Sequence, residues 1–345
     1  MKAVVKYGRE DGDVELRDVP EPEVAPGSVL VQVRVAAVCG SDVHMWHDTQ
    51  SWPVSLPLVL GHETAGVVVE VGRDVEGWSV GDRVVCETAA EICGTCAYCR
   101  GGAYNLCSAR QGYGAQRNGS FTSLVLAEPR VLHRIPDNVS FEHAALTEPL
   151  CVAFNAVVER ASVRLGDLVV VQGSGPIGLL ALLVARLRGA RTTVLLGTAI
   201  DSHRLEVGRG LGADHCLDIT EQDPVELLAG LGDGLGADLV VDATGSSAAF
   251  ASSMQLVRPG GAIAKVGWGP QPLRATLDPL VAKAVTVYGS FSHTWGTWER
   301  ALTILASGQA DVSAVIGGIY DLADWRQAFT AMESGRNVKS VLRVS

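Results

Sequence analysis

The sequence predicts an α/β protein of two unlike domains, one β-rich and barrel-like, the other a doubly wound parallel sheet. Three observations carry that expectation. Up to residue 150, short valine-rich runs alternate with turn residues. From residue 167, apolar strands alternate with helical patterns at βαβ spacing. A glycine turn, "GSGPIG" at 173–178, joins the first of those strands to the first of those helices.

In the first part, "SVLVQVRVAAV" (28–38), "TAGVVVEVG" (64–72) and "DRVVCE" (82–87) read as strands, with "APGS" and "VGD" as turns. Helical periodicity is scarce there, which favours a barrel. At 167–190, "DLVVVQGSGPIGLLALLVARLRGA" reads as strand, turn and long apolar-faced helix. "TTVLL" (192–196) is the next strand and "HRLEVGRGLGAD" (203–214) a helix. "ADLVVDATG" (237–245) and "GAIAKVG" (261–267) are buried strands, and "DPVELLAGL" and "SAAFASSMQLV" are helices. Past residue 290, "TWERALTILASGQ" and "LADWRQAFTAMESG" read as helices, and "KSVLRVS" as a closing strand.

A chain of 345 residues that is 47% hydrophobic has enough apolar material for two cores. Its formal net charge of −10 repels phosphate backbones, so nucleic acid is not an expected partner. No apolar run approaches the roughly 20 residues of a membrane span. The opening "MKAVVKYGRED" turns charged too early for a signal peptide, and a cytoplasmic protein is expected. In a reducing compartment, clustered cysteines are more often metal ligands than disulfides.

Gly173, Gly175 and Gly178 form the G-x-G-x-x-G pattern in its required strand–turn–helix context. The first makes the turn, the second admits a pyrophosphate, and the third lets helix pack on strand. A dinucleotide site follows. An acid about 20 residues on would hold ribose hydroxyls. Here Gly197, Thr198 and Ala199 occupy that place, and Asp201 comes slightly late. Thr198 or Asp201 would serve NAD. Ser202, His203 or Arg204 would receive the 2′-phosphate of NADP. Both cofactors stay open.

Two clusters suit zinc. "AAVCGSDVHMW" (36–46) and "LGHETAGVVVEVG" (60–72) supply Cys39, His62 and Glu63, and "LTEPLCVAF" (146–154) supplies Glu148. Cysteine, histidine and carboxylate together suit a catalytic zinc with an open position. Taken alone, Glu63 reads as a solvated surface residue. Cys93, Cys96, Cys99 and Cys107 stand at C-x2-C-x2-C-x7-C spacing. They are open to three readings: disulfides, a nucleic-acid-binding zinc module, or a brace.

With "CGSDVH", "GHETAGVVVEVG", "GDRVV", the spaced cysteines, "TEPL", "GSGPIG" and "VVDATG" in this order, the whole chain resembles the zinc-dependent medium-chain dehydrogenase/reductase superfamily. It is most similar to the polyol (sorbitol- or iditol-like) dehydrogenases, with threonine dehydrogenases nearby. The resemblance implies a GroES-like catalytic domain, residues 1–151 completed by 291–345, and a Rossmann domain, 152–290, with the active site in the cleft. It implies two zinc ions per chain. Cys39 and His62 would hold the catalytic zinc with Glu63 or Glu148, the latter directly or through water. Cys93, Cys96, Cys99 and Cys107 would hold a structural zinc. Ser41 would take the substrate hydroxyl proton and His44 pass it on. Gly173, Gly175, Pro176, Ile177, Gly178, Thr198, Arg204, Thr244, Val266, Gly267 and Ser290 would bind NAD or NADP. The expected assembly is a homodimer or homotetramer.

The expected reaction is oxidation of a secondary alcohol of a polyol or cyclitol. Met45, Trp46, Trp52, Phe121, Phe291 and Trp295 are candidate pocket walls. Sorbitol dehydrogenases often carry an arginine where this chain has Ser292, which leaves a cyclitol, aminocyclitol or other polyol equally open. Oxidation of threonine is the second reading. A silent dinucleotide-binding sensor is the third, and the full set Cys39, Ser41, His62 and Glu63 weighs against it.

Overall fold

The computed structural model describes residues 1–344. They pack as two compact units. The first comprises Met1–Glu148, His293–Gly308 and the stretch from Ile316 onward; the second comprises Pro149–Ser292 and Gln309–Val315. The breaks at 148/149 and 292/293 compare with expected ones at 151/152 and 290/291, and Gln309–Val315 joins the second unit rather than the C-terminal segment.

The first unit is built on a seven-stranded sheet. Its path runs Ile316–Asp321, Lys339–Arg343, Val29–Ala37, Glu63–Val71, Arg83–Cys86, Leu132–Arg134, with Leu124–Ala127 also paired to Val29–Ala37. All neighbours but the first pair are antiparallel. A three-stranded sheet, Val14–Asp18, Lys2–Lys6, Leu58–Val59, accompanies it. Strand Val29–Ala37 buries seven of its nine residues and Glu63–Val71 five of nine, its first four among them. Between them and helix Trp325–Glu333 lies a core that contains Met45, Leu60, Phe121, Trp325 and Phe329. Met45 and Phe121 are fully buried there, so they are packing residues and not pocket walls. Trp46 packs edge-on against Trp325 and Phe329, 5.8 and 5.9 Å between ring centres.

Helix Gly40–Trp46, which carries Ser41 and His44, escapes the sequence reading. It is short, and its start is made by a local bond rather than by apolar periodicity: the Cys39 N–H donates to Asp42 Oδ2 at 2.9 Å.

The second unit is a six-stranded, all-parallel sheet. Its order is His215–Asp218, Thr192–Gly197, Leu168–Gln172, Ala237–Asp242, Val257–Lys265, Thr286–Gly289. The central strand "LVVVQ" is buried throughout, as a strand covered on both faces must be. Helix Pro176–Leu187 starts with proline at its first position, where the missing N–H costs nothing. The strand order turns around beside Leu168–Gln172, which places a crevice at the carboxyl ends of the strands.

The turn between that strand and helix is sterically determined. Gly173 has φ +96°, the left-handed region. A Cβ on Gly178 would stand 1.8 Å from the Gly173 carbonyl oxygen, which is backbone and cannot yield. Gly178→Ala is therefore expected to destabilise the chain by about 1–3 kcal/mol through forced overpacking. Urea-unfolding midpoints of the variant and parent measure it.

Candidate active site and metal sites

Residues far apart in sequence meet because of strand register. Ala37 is the antiparallel partner of both Glu63 and Val341. The chain thus delivers Cys39 just beyond one strand, His62 and Glu63 at the start of the next, and Lys339 at the start of the third. Donor atoms of Cys39, His62 and Glu63 all lie within 4.8 Å of one another.

Glu63 and His62 are each held from behind. Lys339 Nζ donates to both Glu63 oxygens at 2.7 and 2.8 Å and to the Val38 carbonyl at 2.9 Å. Glu63 is fully buried and not the solvated residue that its isolated sequence context suggests. Its strand runs inside the sheet, and Lys339 answers its charge. Burial pushes the Glu63 carboxyl above its ordinary value, with Lys339 opposing. Burial also works against the Lys339 ammonium, but Glu63 and Cys39 outweigh it and hold that pKa above the usual lysine value. Asp42 Oδ1 stands 3.7 Å from His62 Nδ1, and Ser41 Oγ 3.5 Å from Nε2. Burial disfavours a charged His62 imidazole, while Asp42 and Cys39 more than compensate and hold its pKa well above the usual histidine value. A buried carboxylate behind a ligating imidazole is the usual support for a metal-bound histidine.

Glu148 lies outside this trio of donors. His293 Nε2 bonds its Oε1 at 3.1 Å. Burial would raise the Glu148 carboxyl, but the His293 bond and nearby His62 and Lys339 hold it below its ordinary value. Ser41 and His44 lie three residues apart on helix Gly40–Trp46, hence on one face. His44 Nδ1 contacts Thr49 Oγ1 at 2.9 Å. Partial burial and His47 keep its pKa below the usual histidine value. Trp52 stands edge-on to His44, 6.4 Å between centres.

Cys93, Cys96, Cys99 and Cys107 form a second cluster with sulfurs within 4.8 Å. Backbone N–H groups already point at the sulfurs: Cys93 N at Cys107 Sγ (3.4 Å), Cys96 N at Cys93 Sγ (3.3 Å) and Cys99 N at Cys96 Sγ (3.4 Å). The N–H groups of Thr95 and Cys96 draw the Cys93 thiol down to about 6, into the thiolate range. The lobe's helices, Ala97–Arg100 and Tyr104–Leu106, bury none of their residues. This lobe has little core of its own. All eight cysteines are free of disulfides.

In the second unit the expected cofactor residues gather at the carboxyl ends of the parallel strands. Gly173, Gly175, Pro176, Ile177 and Gly178 follow Leu168–Gln172, and Thr198 follows Thr192–Gly197. Thr244 follows Ala237–Asp242, Val266 and Gly267 follow Val257–Lys265, and Ser290 follows Thr286–Gly289. A Cβ on Gly175 would meet nothing within 4 Å, leaving room above the helix start. Ser174 Oγ is buried in the same turn with no bonding partner. Asp201 does not project as a free ribose acceptor. Its Oδ2 accepts from Thr198 N and Oγ1 at 3.1 and 3.0 Å, and its Oδ1 from Arg204 at 3.2 Å. Phe291 pairs edge-on with Trp268, 6.0 Å between centres, both exposed.

The donor chemistry fits the groups expected. Four thiols within reach of one ion close a tetrahedral shell. Sulfur, imidazole and carboxylate in a mostly buried pocket suit a zinc that leaves a position open. The open glycine turn suits a pyrophosphate. Sequence reasoning missed Asp42, His293 and Lys339, whose roles arise only from folding. "HTWGTW" was the one available signal for His293, as a polar residue set just before an aromatic helix start.

This fold and these sites define a zinc-binding alcohol dehydrogenase, and the chain belongs to that family. Residues 25–137 match the alcohol dehydrogenase GroES-like domain and residues 176–307 the zinc-binding dehydrogenase domain. The chain is 39% identical to a sorbitol dehydrogenase of Halalkalibacterium halodurans over 99% of both chains. It is 34% identical to an L-threonine 3-dehydrogenase of Photorhabdus laumondii, again over 99% of both. An alcohol dehydrogenase of Thermus sp. ATN1 superposes with a TM-score of 0.91, 30% identity and full coverage of both chains. The protein is an oxidoreductase of the zinc-type alcohol and polyol dehydrogenases, with zinc and NAD or NADP as cofactors. Among the described residues, no helix is long and apolar enough to cross a membrane.

Two outcomes follow. Lys339→Met leaves Glu63 buried without its cation, and a loss of about 3–5 kcal/mol is expected in denaturant unfolding. Cys96→Ser opens the four-thiol shell. Metal analysis is expected to show about one zinc fewer per chain, with a lower melting temperature, because metal binding there contributes folding free energy.

Proposed function

We propose that this enzyme oxidises a secondary alcohol of a polyol or cyclitol to a ketone, with hydride passing from the carbinol carbon to NAD or NADP. The observation that carries the reading is the convergence of Cys39, His62 and Glu63, with the Ser41 hydroxyl 3.5 Å from His62. The likeness to a sorbitol dehydrogenase supports the polyol class. Ser292, where sorbitol dehydrogenases often carry arginine, widens that class beyond sorbitol. Eight free cysteines accord with action in a reducing cytoplasm.

In this reading Cys39 and His62 hold the catalytic zinc, with Glu63 or Glu148 completing the set. Zinc, when bound, supplies a Lewis acid that favours the ionised substrate hydroxyl, and the dinucleotide supplies the hydride acceptor. Ser41 Oγ receives the hydroxyl proton and releases its own, and His44, neutral at neutral pH, passes a proton on to solvent. Asp42 orients His62, and Lys339 keeps Glu63 charged but restrained. Gly173, Gly175, Pro176, Ile177 and Gly178 cradle the pyrophosphate. Thr198 and Arg204 flank the adenosine end, and Thr244, Val266, Gly267 and Ser290 line the nicotinamide side.

The test follows reduced-nicotinamide absorbance over sugar alcohols, cyclitols, threonine and simple secondary alcohols, with each cofactor. Turnover of polyols or cyclitols is expected, and Cys39→Ser is expected to lower it by more than about 100-fold. Preferential turnover of threonine would replace the polyol reading. A fully active Cys39→Ser enzyme would remove the proposed zinc site.

A further inference from the structure

We propose that His293, its ring locked by Trp298, is a positioning residue that aims Glu148 at the catalytic zinc pocket. The inference rests on the reading that Glu148 belongs to that site. His293 is the residue before Thr294, the cap of helix Trp295–Ser307, and Trp298 is the fourth residue of that helix. Side chains at these two positions commonly pack together and fix how the chain enters a helix. Here the pair packs T-shaped, 5.1 Å between centres, and both residues are buried. The Thr294 N–H donates to Thr297 Oγ1 at 3.4 Å, which secures the same turn.

The hydrogen bonds then determine which nitrogen carries the proton. Trp298 Nε1–H is a donor only, and it donates to His293 Nδ1 at 2.7 Å. Nδ1 is therefore the acceptor and Nε2 bears the hydrogen. That Nε2–H donates to Glu148 Oε1 at 3.1 Å. One carboxylate oxygen is thereby engaged, and the other is left as the acceptor free to serve the pocket. Glu148 cannot rotate without breaking a bond whose donor is itself immobilised. Without His293 the carboxylate would be buried with no direct partner, a costly state that favours its turning away. Each of the two neighbouring carboxylates thus has its own partner: Lys339 restrains Glu63 and His293 restrains Glu148.

The experiment uses the full zinc-loaded chain and a chelator titration that follows zinc release, with thermal melting alongside. The four-cysteine site supplies an internal control. His293→Ala is expected to lower the affinity of the other zinc by about 10–100-fold, while the cysteine-bound zinc and the melting profile change far less. His293→Gln keeps an N–H in the position of Nε2 and is expected to restore most of that affinity. Trp298→Phe keeps the ring packing but frees the tautomer, and a smaller weakening is expected. Wild-type zinc retention in folded His293→Ala would overturn the proposal. So would losses in His293→Ala and His293→Gln that are equal and track melting temperature. Should His293→Ala fail to fold, the Gln and Phe variants decide on the same readouts. Glu148→Gln separates the two claims. If it retains zinc and turns over normally, the reading of Glu148 falls. If it is impaired while His293→Ala is not, only the positioning role falls.

Discussion

The buried ion pair of Lys339 with Glu63 is the constraint on which the catalytic unit depends. Two charges removed from water are tolerable only when each is answered directly, and here one ammonium bonds both carboxylate oxygens. The pair joins strands Glu63–Val71 and Lys339–Arg343 across Val29–Ala37, the strand that carries the chain to Cys39. The register that satisfies the charge is the same register that places Cys39 beside His62. A slip of one residue would turn Glu63 to the opposite face and dismantle the donor set. Fold and site are thus specified together. The C-terminal strand is part of the site because it supplies the lysine.

The remaining groups around the pocket follow the same logic of support from behind. Asp42 stands against His62, His293 against Glu148 and Lys339 against Glu63. Each supporting group is buried, Asp42 on helix Gly40–Trp46, Lys339 on the C-terminal strand and His293 in the segment before helix Trp295–Ser307. The four-cysteine lobe is built differently. It lacks a buried apolar face, and its order comes from N–H groups converging on sulfur. One site is shaped by the sheet, and the other by a short loop folded around its own sulfurs.

What was legible in the sequence was short in range. The turn Gly173–Gly178, the strand "LVVVQ" and the helix after it occupy one stretch of chain, so their chemistry shows in local pattern. The cysteine spacing is local as well. Strands Lys2–Lys6, Val14–Asp18, His215–Asp218 and Ile316–Asp321 were not legible, because their polar and glycine residues mask the alternation. Cys39, His62 and Glu148 were singled out as metal-binding types, but their spacing does not join them, and only the family resemblance made them one site. Lys339 was invisible, since its partner Glu63 is 276 residues away and the pairing exists only in the sheet. Met45 and Phe121 carried the opposite error. Aromatic and thioether side chains near catalytic motifs suggested a pocket wall, whereas the core took them.

The most direct test of the account is diffraction from crystals of the purified enzyme at energies on both sides of the zinc absorption edge. Two anomalous peaks per chain are expected, one inside the four sulfurs and one beside Cys39 and His62 with Glu63 or Glu148 as the next ligand. A single peak at the cysteine lobe, with Cys39, His62 and both carboxylates free of metal in zinc-saturated crystals, would contradict it.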